Sequence, residues 1–456
     1  MSKNITRREA LKQMVASAAG IAAAGTILES CGQKKPAEAQ FEKTAKEGAK
    51  IVSRDWTSLG DTVGLLGLGC MRLPKASDGS IDQEHTNKMV AYAIEHGINY
   101  FDTASGYAGS EEAMGKALSS HPRESYLIAT KLSNHRSPVK SLEDGQAIFN
   151  SSLQKLQIGY FDFYLLHNLP SDAALHERFV DNGLLDWLIQ QKKEGRIRHL
   201  GFSFHGNDRE FMKILDGNYY DWDFVQIQMN YLDWENMGSK KPAVPGPDAN
   251  SARFMYEELE KRGIPITIME PIRGGALANV SDGMKSKLAR RFPTLSPAGV
   301  ALSYVASYPD VMCTLSGMSN MEQLEENVAT FSNFKPFSEE DNAYLMQIAE
   351  EYYSNPHIAC TGCEYCLPCP NGVNIPGNFK VFNTTSDELN IPDPDNQDAD
   401  FKKKKKVFLT RYKKDLKDGM RADACTKCNV CLEKCPQHIR IPQQLEMINT
   451  LVKKLG

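Results

Sequence analysis

The sequence lacks the features of a membrane-spanning or nucleic-acid-binding protein. The apolar run near its start, Met14 to Leu28, is only about 15 residues long, which is too short to span a bilayer comfortably. A formal net charge of −4 gives no reason to expect a nucleic-acid partner. The dense basic run Lys402 to Lys406 is interpreted as a solvated linker or helix face. What remains is an ordinary globular composition, whose 456 residues suggest two to four domains.

A dinucleotide-binding fingerprint is also missing. The segment Gly64-Leu65-Leu66-Gly67-Leu68-Gly69 comes nearest to Gly-x-Gly-x-x-Gly, but its spacing is wrong and no evident helix follows it. This absence removes the main support for an open, doubly wound parallel sheet.

The first 31 residues resemble a processing signal. Basic residues precede the apolar run, as in a signal peptide. Thr6-Arg7-Arg8-Glu9-Ala10-Leu11-Lys12 resembles the twin-arginine export motif, with Ala10 where phenylalanine is usual. Leu28-Glu29-Ser30-Cys31-Gly32 resembles a lipobox, which would make Cys31 a lipid anchor. We expect residues 1–31 to be a signal, residues 32–55 a linker, and the protein to be periplasmic or membrane-anchored; the alternative is a disordered tail on a cytoplasmic protein.

From residue 60 the chain alternates short apolar runs with longer amphipathic stretches. The predicted helices include Glu84–His96, Gly145–Leu156, Phe179–Lys193 and Ala252–Arg262. The predicted strands are Val63–Leu68, Ile98–Phe101, Tyr126–Thr130, Asp162–Leu166, His199–Ser203, Phe224–Gln228, Pro265–Met269 and Met312–Leu315. Eight strands, each followed by a helix, predict an α/β fold, a (β/α)₈ TIM barrel over residues 56–350.

Polar residues stand where the predicted strands end, which is where such barrels carry catalysis. They are Asp102, Lys131 and His167, with Tyr107 in the loop beyond Asp102. A tyrosine pKa of about 10 makes a poor acid at neutral pH, and we expect the Lys131 ammonium to lower it. Asp102 would hold Lys131, and His167 would hydrogen-bond a substrate carbonyl. Such a set delivers a proton to a carbonyl oxygen while a hydride reaches the carbon.

The same residues lie in motifs that resemble the aldo/keto reductase family. Phe101-Asp102-Thr103-Ala104-Ser105-Gly106-Tyr107, Ser110-Glu111 and Gly115-Lys116-Ala117-Leu118 resemble the first signature of that family. Ala129-Thr130-Lys131 and Leu165-Leu166-His167 supply its lysine and histidine. The resemblance, over about residues 60–330, implies the catalytic residues Asp102, Tyr107, Lys131 and His167.

The resemblance also implies a nicotinamide cofactor, NADP or NAD. Gly201-Phe202-Ser203 and Gln226 match the segments that hold the carboxamide, although Phe204 replaces the usual asparagine. Gly317 to Asn327 resembles the adenosine-phosphate segment, and a helix starting near Asn320 would offer its amides to a phosphate. No arginine stands near Gln323 to select a 2′-phosphate, so the choice of cofactor stays open. The implied cofactor-binding residues are Ser203, Gln226, Ser319, Gln323, Glu326 and Asn327.

Eight of the eleven cysteines fall in two clusters near the C-terminus. Cys360 to Pro376 and Cys425 to Pro442 read alike, an internal repeat typical of a two-cluster ferredoxin module. Three thiolates spaced C-x₂-C-x₂-C bind one cubane, and a fourth ahead of proline binds the other. Structural zinc, the alternative, prefers separated pairs of cysteines. We predict one [4Fe–4S] cluster on Cys360, Cys363, Cys366 and Cys435, and a second on Cys425, Cys428, Cys431 and Cys369.

These patterns predict a mostly α, ferredoxin-like dicluster domain over residues 356–450, after the barrel. The leading hypothesis is an oxidoreductase that transfers hydride between a nicotinamide and a small-molecule carbonyl or alcohol, and exchanges electrons through its clusters with an electron-transfer partner. A plain carbonyl reductase with structural clusters is one alternative. An electron-transfer protein that uses the barrel as a scaffold is another.

Overall fold

The structure is a computed structural model that describes residues 48–134, 141–235, 237, 250–354, 356–388, 390–435, 437 and 439–456. The expected signal, Cys31 and most of the expected linker lie outside the described residues.

A short antiparallel hairpin comes first, formed by β1 (Ser53–Trp56) and β2 (Asp61–Gly64). Two sequence predictions are wrong here. The predicted linker, residues 32–55, runs into β1, and the predicted strand Val63–Leu68 spans the end of β2 and most of the next strand, β3 (Leu66–Gly69). All six residues from Val63 to Leu68 are buried, so the apolar run continues while the chain passes from one sheet to the other.

Eight parallel strands close a barrel in the order β10-β3-β4-β5-β6-β7-β8-β9. Their residues are largely buried, as expected for a parallel sheet covered by helices. After β3 the strands are β4 (Tyr100–Asp102), β5 (Leu127–Leu132), β6 (Phe161–Leu169), β7 (Ile197–Phe204), β8 (Phe224–Gln228), β9 (Ile266–Met269) and β10 (Val311–Ser316).

Apolar side chains fill one end of the barrel interior. Tyr100, Phe163 and Phe224, near the starts of their strands, form a buried cluster with Leu59 and Val63 of the hairpin region. Since the strands are parallel, this packed end is the amino-terminal one. The carboxyl ends of the strands are left for the polar residues.

Helices surround the barrel, and side-chain caps begin most of them. The Asp82 carboxylate, for example, accepts from the His85 amide at 3.0 Å, and Asn320 caps the helix predicted to start near it. The barrel helices are α1 (Gln83–Glu95), α2 (Ser110–Leu118), α3 (Leu142–Leu156), α4 (Asp172–Leu175), α5 (Leu184–Lys193), α6 (Asp208–Asp216), α7 (Ala252–Arg262), α8 (Asp282–Arg291), α9 (Pro297–Ala306), α10 (Met321–Ser332) and α11 (Glu339–Ser354).

The predicted helix Phe179–Lys193 is interrupted. A π-helical turn, His176–Val180, ends before α5, and Gly183 adopts a left-handed φ of 74° between them. Only glycine takes that conformation without a steric penalty, so the chain turns there despite its helical pattern.

A second apolar core lies in the C-terminal part of the chain. It includes Phe379, Phe408 and Ile448, one from each of three helices. Lys402 to Lys406 form the first turns of the middle helix, in line with the interpretation as a helix face. None of the described helices is long and apolar enough to cross a membrane. The three helices are α12 (Ile375–Asp387), α13 (Phe401–Asp415) and α14 (Ile441–Leu455).

Candidate active site

Strand register brings three of the predicted catalytic side chains to one face of the barrel. Asp102 pairs with Ala129, and Lys131 lies two residues beyond that partner. Lys131 pairs with Leu165, and His167 again lies two residues further along. Because side chains alternate with a period of two, all three point into the barrel near the carboxyl ends of β4, β5 and β6.

A buried ion pair anchors the site. The Lys131 ammonium contacts the Asp102 carboxylate and donates to the Thr103 carbonyl at 2.8 Å. Lys131 is 1% exposed and Asp102 4% exposed, so this pair is held in a low-dielectric environment. Gln226 donates to the second carboxylate oxygen of Asp102 at 3.1 Å. Asp102 is thus held from two sides.

Tyr107 and His167 meet above that pair. Their ring centroids are 5.8 Å apart at nearly a right angle, and the Lys131 ammonium lies 5.0 Å from the Tyr107 centroid. Nδ1 of His167 lies 2.5 Å from the Ser133 hydroxyl, and Arg178 donates to the His167 carbonyl at 2.5 Å. Tyrosine and histidine can therefore face the same substrate oxygen.

The predicted lowering of the Tyr107 pKa is wrong. Burial raises the pKa of Tyr107 well above its ordinary value, and the Asp102 and Glu270 carboxylates raise it further. A hydrogen bond from Tyr365 acts in the opposite direction. The positive charge of Lys131 is offset by its contact with Asp102, which is why the ammonium does not govern this pKa. Tyr107 is consequently a protonated acid at neutral pH.

A cavity of about 730 Å³ opens over these residues. It extends past Met269 to the loop after β10 and the start of α10. Of the predicted cofactor-binding residues, five line it: Gln226, Ser319, Gln323, Glu326 and Asn327.

The predicted residues around α10 bond to one another and to nearby serines. The Ser319 amide donates to the Gln323 side chain at 2.8 Å, and Asn327 donates to the Ser316 hydroxyl at 3.0 Å. Ser203 is placed differently. It is fully buried, its hydroxyl accepts from the Asn168 amide at 2.9 Å, and it is not among the described residues that line the cavity. Ser203 can support the wall but does not form it.

Several wall residues carry no sequence signal that singled them out. Glu270 adopts a left-handed φ of 56°, a conformation that non-glycine residues rarely take and that clusters at functional sites. A register argument would have placed it just beyond Met269, at the end of β9. The residues that sequence reasoning missed are Arg72, His205, Glu270, Lys285, Tyr365 and Gln437.

Glu270 is a strongly perturbed carboxyl. Burial raises its pKa to about 7, with Asp233 adding to the shift and Arg72 opposing it. Its Oε2 atom is enclosed and has no hydrogen-bond partner among the described residues. The Glu270 charge also acts on Tyr107 and Cys363. The carboxyl therefore lies between the barrel site and the first cysteine motif, Cys360 to Cys369.

Glu270→Gln is expected to stabilise the protein by about 1–3 kcal/mol at pH 8, with a smaller difference at pH 5. The carboxyl keeps its proton in the fold up to about pH 7 but ionises earlier in the unfolded chain. Wild-type stability therefore falls as the pH rises through that interval, while the glutamine variant has nothing to ionise. Urea unfolding at both pH values measures the gap, with the exposed Glu350→Gln as control. An equal gap at pH 5 and pH 8 would contradict this linkage.

The eight clustered cysteines fall into two sets. Cys366 interacts electrostatically with Cys360, Cys363 and Cys435. Cys431 interacts in the same way with Cys425, Cys428 and Cys369. The ten described cysteines form no disulfide. Each set thus contains three thiols from one motif and the fourth from the other.

The two sets fit polynuclear clusters. Within the described ranges, no three cysteine, histidine or acidic side chains converge closely enough to hold a single metal ion. Four thiols per set match the ligands of a cubane, in which each of four irons takes one thiolate. Two residues separate Cys366 from Cys369, whereas three separate Cys431 from Cys435. Cys369 nevertheless joins the second set.

The first cysteine motif reaches the mouth of the barrel. Arg72, after β3, donates to the Gly362 carbonyl at 3.2 Å. A Cβ on Gly274 would lie 1.6 Å from the Thr361 carbonyl oxygen, so only glycine allows this approach. Cys363 and Tyr365 then line the same cavity as Tyr107.

The second motif is attached by a pair of glutamines. Gln437 donates to the side-chain oxygen of Gln228 at 2.9 Å, and Gln228 donates back at 3.4 Å. Gln228 also donates to Asp233, whose carboxylate is paired with Arg273. The cysteine-bearing segment and the barrel therefore share one polar network.

Family comparison agrees with this architecture. The profile of the aldo/keto reductase family matches residues 65–350, more than half of the chain. The chain belongs to the aldo/keto reductase family. A second profile, described as a 4Fe–4S dicluster domain, matches residues 359–440 of this aldo/keto reductase. The predicted (β/α)₈ barrel, the enzyme class and the dicluster domain are confirmed.

Named relatives cover the barrel. A probable aldo-keto reductase of Glycine max is 31% identical over 60% of this chain and 82% of its own length. An NADH-specific methylglyoxal reductase of Escherichia coli is 27% identical over 63% and 95%. Both of these relatives of this aldo/keto reductase are named as reductases, one of them as NADH-specific.

Solved structures share the fold. An aldo-keto reductase from Bacillus halodurans in its holo form has a TM-score of 0.51 at 22% identity, covering 65% of this chain and 96% of its own. One from Klebsiella pneumoniae in complex with NADPH has a TM-score of 0.50 at 20% identity, covering 66% and 95%.

Proposed function

We propose that this aldo/keto reductase transfers hydride between NADPH or NADH and a small carbonyl or alcohol, and that electrons are exchanged through two [4Fe–4S] clusters. The observation that carries the proposal is the shared cavity. Cys363 of the first cysteine motif and Tyr107 of the barrel line the same wall.

The barrel residues handle the proton. Tyr107 donates from its hydroxyl to the substrate oxygen, and the high pKa of Tyr107 keeps that proton in place until charge develops on the oxygen. His167 faces the same oxygen from the ring at right angles to Tyr107. Lys131 and Asp102 form the buried ion pair that lies next to these two rings.

The remaining wall residues fit the cofactor. Gln226 presents a side-chain amide near the catalytic residues, while Ser319, Gln323, Glu326 and Asn327 line the far end of the cavity. The amides at the start of α10 suit a phosphate. Ser203 is buried and accepts a hydrogen bond from the Asn168 backbone amide instead of facing the cavity.

The cysteine sets fit the clusters. Cys360, Cys363, Cys366 and Cys435 would hold one, and Cys369, Cys425, Cys428 and Cys431 the other. A bound nicotinamide would supply a hydride, and two clusters would take its two electrons, one each, while its proton is released to solvent. Four thiols for each cluster and two electrons for each hydride are both consistent with two [4Fe–4S] clusters.

The test is anaerobic. NADPH, then NADH, is added to cluster-loaded protein while the visible iron–sulfur absorbance is recorded. Bleaching is expected, because hydride electrons would reach the clusters. Dithionite, which reduces clusters without the nicotinamide, is the positive control.

A carbonyl then separates the remaining outcomes. Dithionite-reduced protein, freed of excess dithionite, is mixed with NADP⁺ and methylglyoxal, the substrate in the name of the Escherichia coli relative. Recovery of the absorbance supports exchange between clusters and barrel. Turnover of methylglyoxal by NADPH with no change in the clusters would identify a plain carbonyl reductase. No turnover across a panel of small aldehydes would favour an electron-transfer protein.

A further inference from the structure

Tyr365 lies where the first cysteine motif meets the cavity of the barrel. It stands between Cys363 and Cys366 in the first cysteine motif and lines the barrel cavity. Its side chain hydrogen-bonds to Tyr107, and this bond lowers the pKa of Tyr107. In the proposed reaction Tyr107 gives its own hydrogen to the substrate oxygen, so the Tyr107 oxygen is the acceptor that remains for the Tyr365 hydroxyl.

The loop around Tyr365 is held against the barrel. Gly362 and Glu364 both adopt left-handed φ values, 65° and 63°, which turn the chain sharply on each side of Cys363. Arg72 binds the carbonyl of Gly362, and the bare backbone of Gly274 allows Thr361 to approach. The position of Tyr365 follows from the cysteine loop and its contacts with the barrel.

The surroundings of Tyr107 otherwise oppose a phenolate. Asp102 and Glu270 place negative charge near it, and Cys70 acts in the same direction. Lys131 is committed to Asp102 and to the Thr103 carbonyl. The titratable and charged groups facing Tyr107 are Asp102, Lys131, His167, Glu270, Cys70 and Tyr365.

We propose that Tyr365 is a catalytic residue of the barrel site: it donates a hydrogen bond to the Tyr107 oxygen as that residue gives up its proton. The inference rests on the proposed function. In the reductive direction the Tyr107 O–H bond breaks, the proton goes to the substrate oxygen and the hydride to the carbon. The negative charge left on Tyr107 is held by the hydroxyl of Tyr365 until a proton returns.

The first test is Tyr365→Phe, which removes the hydroxyl and keeps the ring. We expect kcat for carbonyl reduction to fall by about ten- to a hundredfold, the range for one hydrogen bond to a charged group, with KM for the nicotinamide changed less than about twofold. Tyr412→Phe removes another buried hydroxyl from the dicluster domain and is the control.

The second test does not depend on turnover. Cys363 and Cys366 flank Tyr365, so loss of its bond to Tyr107 is expected to alter the EPR line shape of the dithionite-reduced first cluster. Tyr365→Phe and Tyr107→Phe should both do so, and Tyr412→Phe should not.

The possible outcomes distinguish failure of the role of Tyr365 from failure of the proposed function. If Tyr365→Phe keeps the wild-type kcat, the catalytic role is refuted while the proposed function stands. If the wild type reduces no carbonyl, the proposed function fails, and with it the catalytic role of Tyr365. If Tyr107→Phe leaves the EPR spectrum unchanged, the contact itself is refuted.

Discussion

Tyr107→Phe is expected to lower carbonyl reduction by about 10²–10⁴-fold, the usual contribution of a positioned acid. The substitution removes the hydroxyl that gives the proton but keeps the ring, so the right-angled contact with His167 is retained. NADPH oxidation with methylglyoxal, followed at fixed enzyme concentration, measures the loss.

The matched control is Tyr344→Phe, which removes a barrel hydroxyl that donates to the Lys287 carbonyl at 2.9 Å, away from the cavity. That variant should reduce carbonyls at the wild-type rate. Both variants should keep their iron and bleach with dithionite, because neither changes a cysteine. A Tyr107→Phe enzyme with wild-type turnover would show that the proton comes from another group.

Cys435→Ala is expected to remove one cluster and so about half of the bound iron. Cys435 is buried in the core of the dicluster domain beside Cys360, Cys363 and Cys366, and no other described cysteine belongs to that set. Because cluster binding is coupled to folding, the dicluster domain should also become sensitive to protease. Iron analysis and EPR of the reduced protein provide the measurement.

Two further variants complete the experiment. Cys369→Ala should remove the other cluster, since Cys369 lies with Cys425, Cys428 and Cys431. Cys313→Ala, in the apolar interior of the barrel, should leave the iron content unchanged. If Cys435→Ala and Cys369→Ala affect the same cluster, the crossed arrangement is wrong.

The residues that we propose as catalytic could be placed from the sequence because local patterns carry them. Asp102, Lys131 and His167 each follow an apolar strand, and a period of two fixes which way their side chains point. The cysteine motifs are equally local, with spacings that a cubane requires. Neither prediction depends on how distant parts of the chain meet.

Other features depend on contacts between residues that are distant in the sequence, and no local pattern predicts them. Tyr365 lies 258 residues after Tyr107, and nothing in Cys363-Glu364-Tyr365-Cys366 indicates that its hydroxyl reaches the barrel. The change of sheet inside Val63 to Leu68 is hidden for a related reason. The end of β2 and the start of β3 are both buried, so the apolar run is continuous in the sequence although the chain changes direction within it.

The pKa of Tyr107 shows the limit of charge arguments made from sequence. Lys131 is near Tyr107 as expected, but its charge is already paired with Asp102. Burial then decides the direction in which the pKa of Tyr107 shifts, and the spacing of residues in the sequence does not reveal how deeply a side chain is buried.

The cavity wall runs from Gly69 to Gln437, so it draws on nearly the whole length of the chain. The ribosome completes the barrel strands long before it delivers the cysteine loops that carry Tyr365 and Gln437. We expect these loops to take their final form when their thiolates bind the clusters, so that the pocket is completed only then. A cell short of iron would therefore make this polypeptide without its complete reaction chamber, and carbonyl chemistry that itself needs no metal would depend on the iron supply.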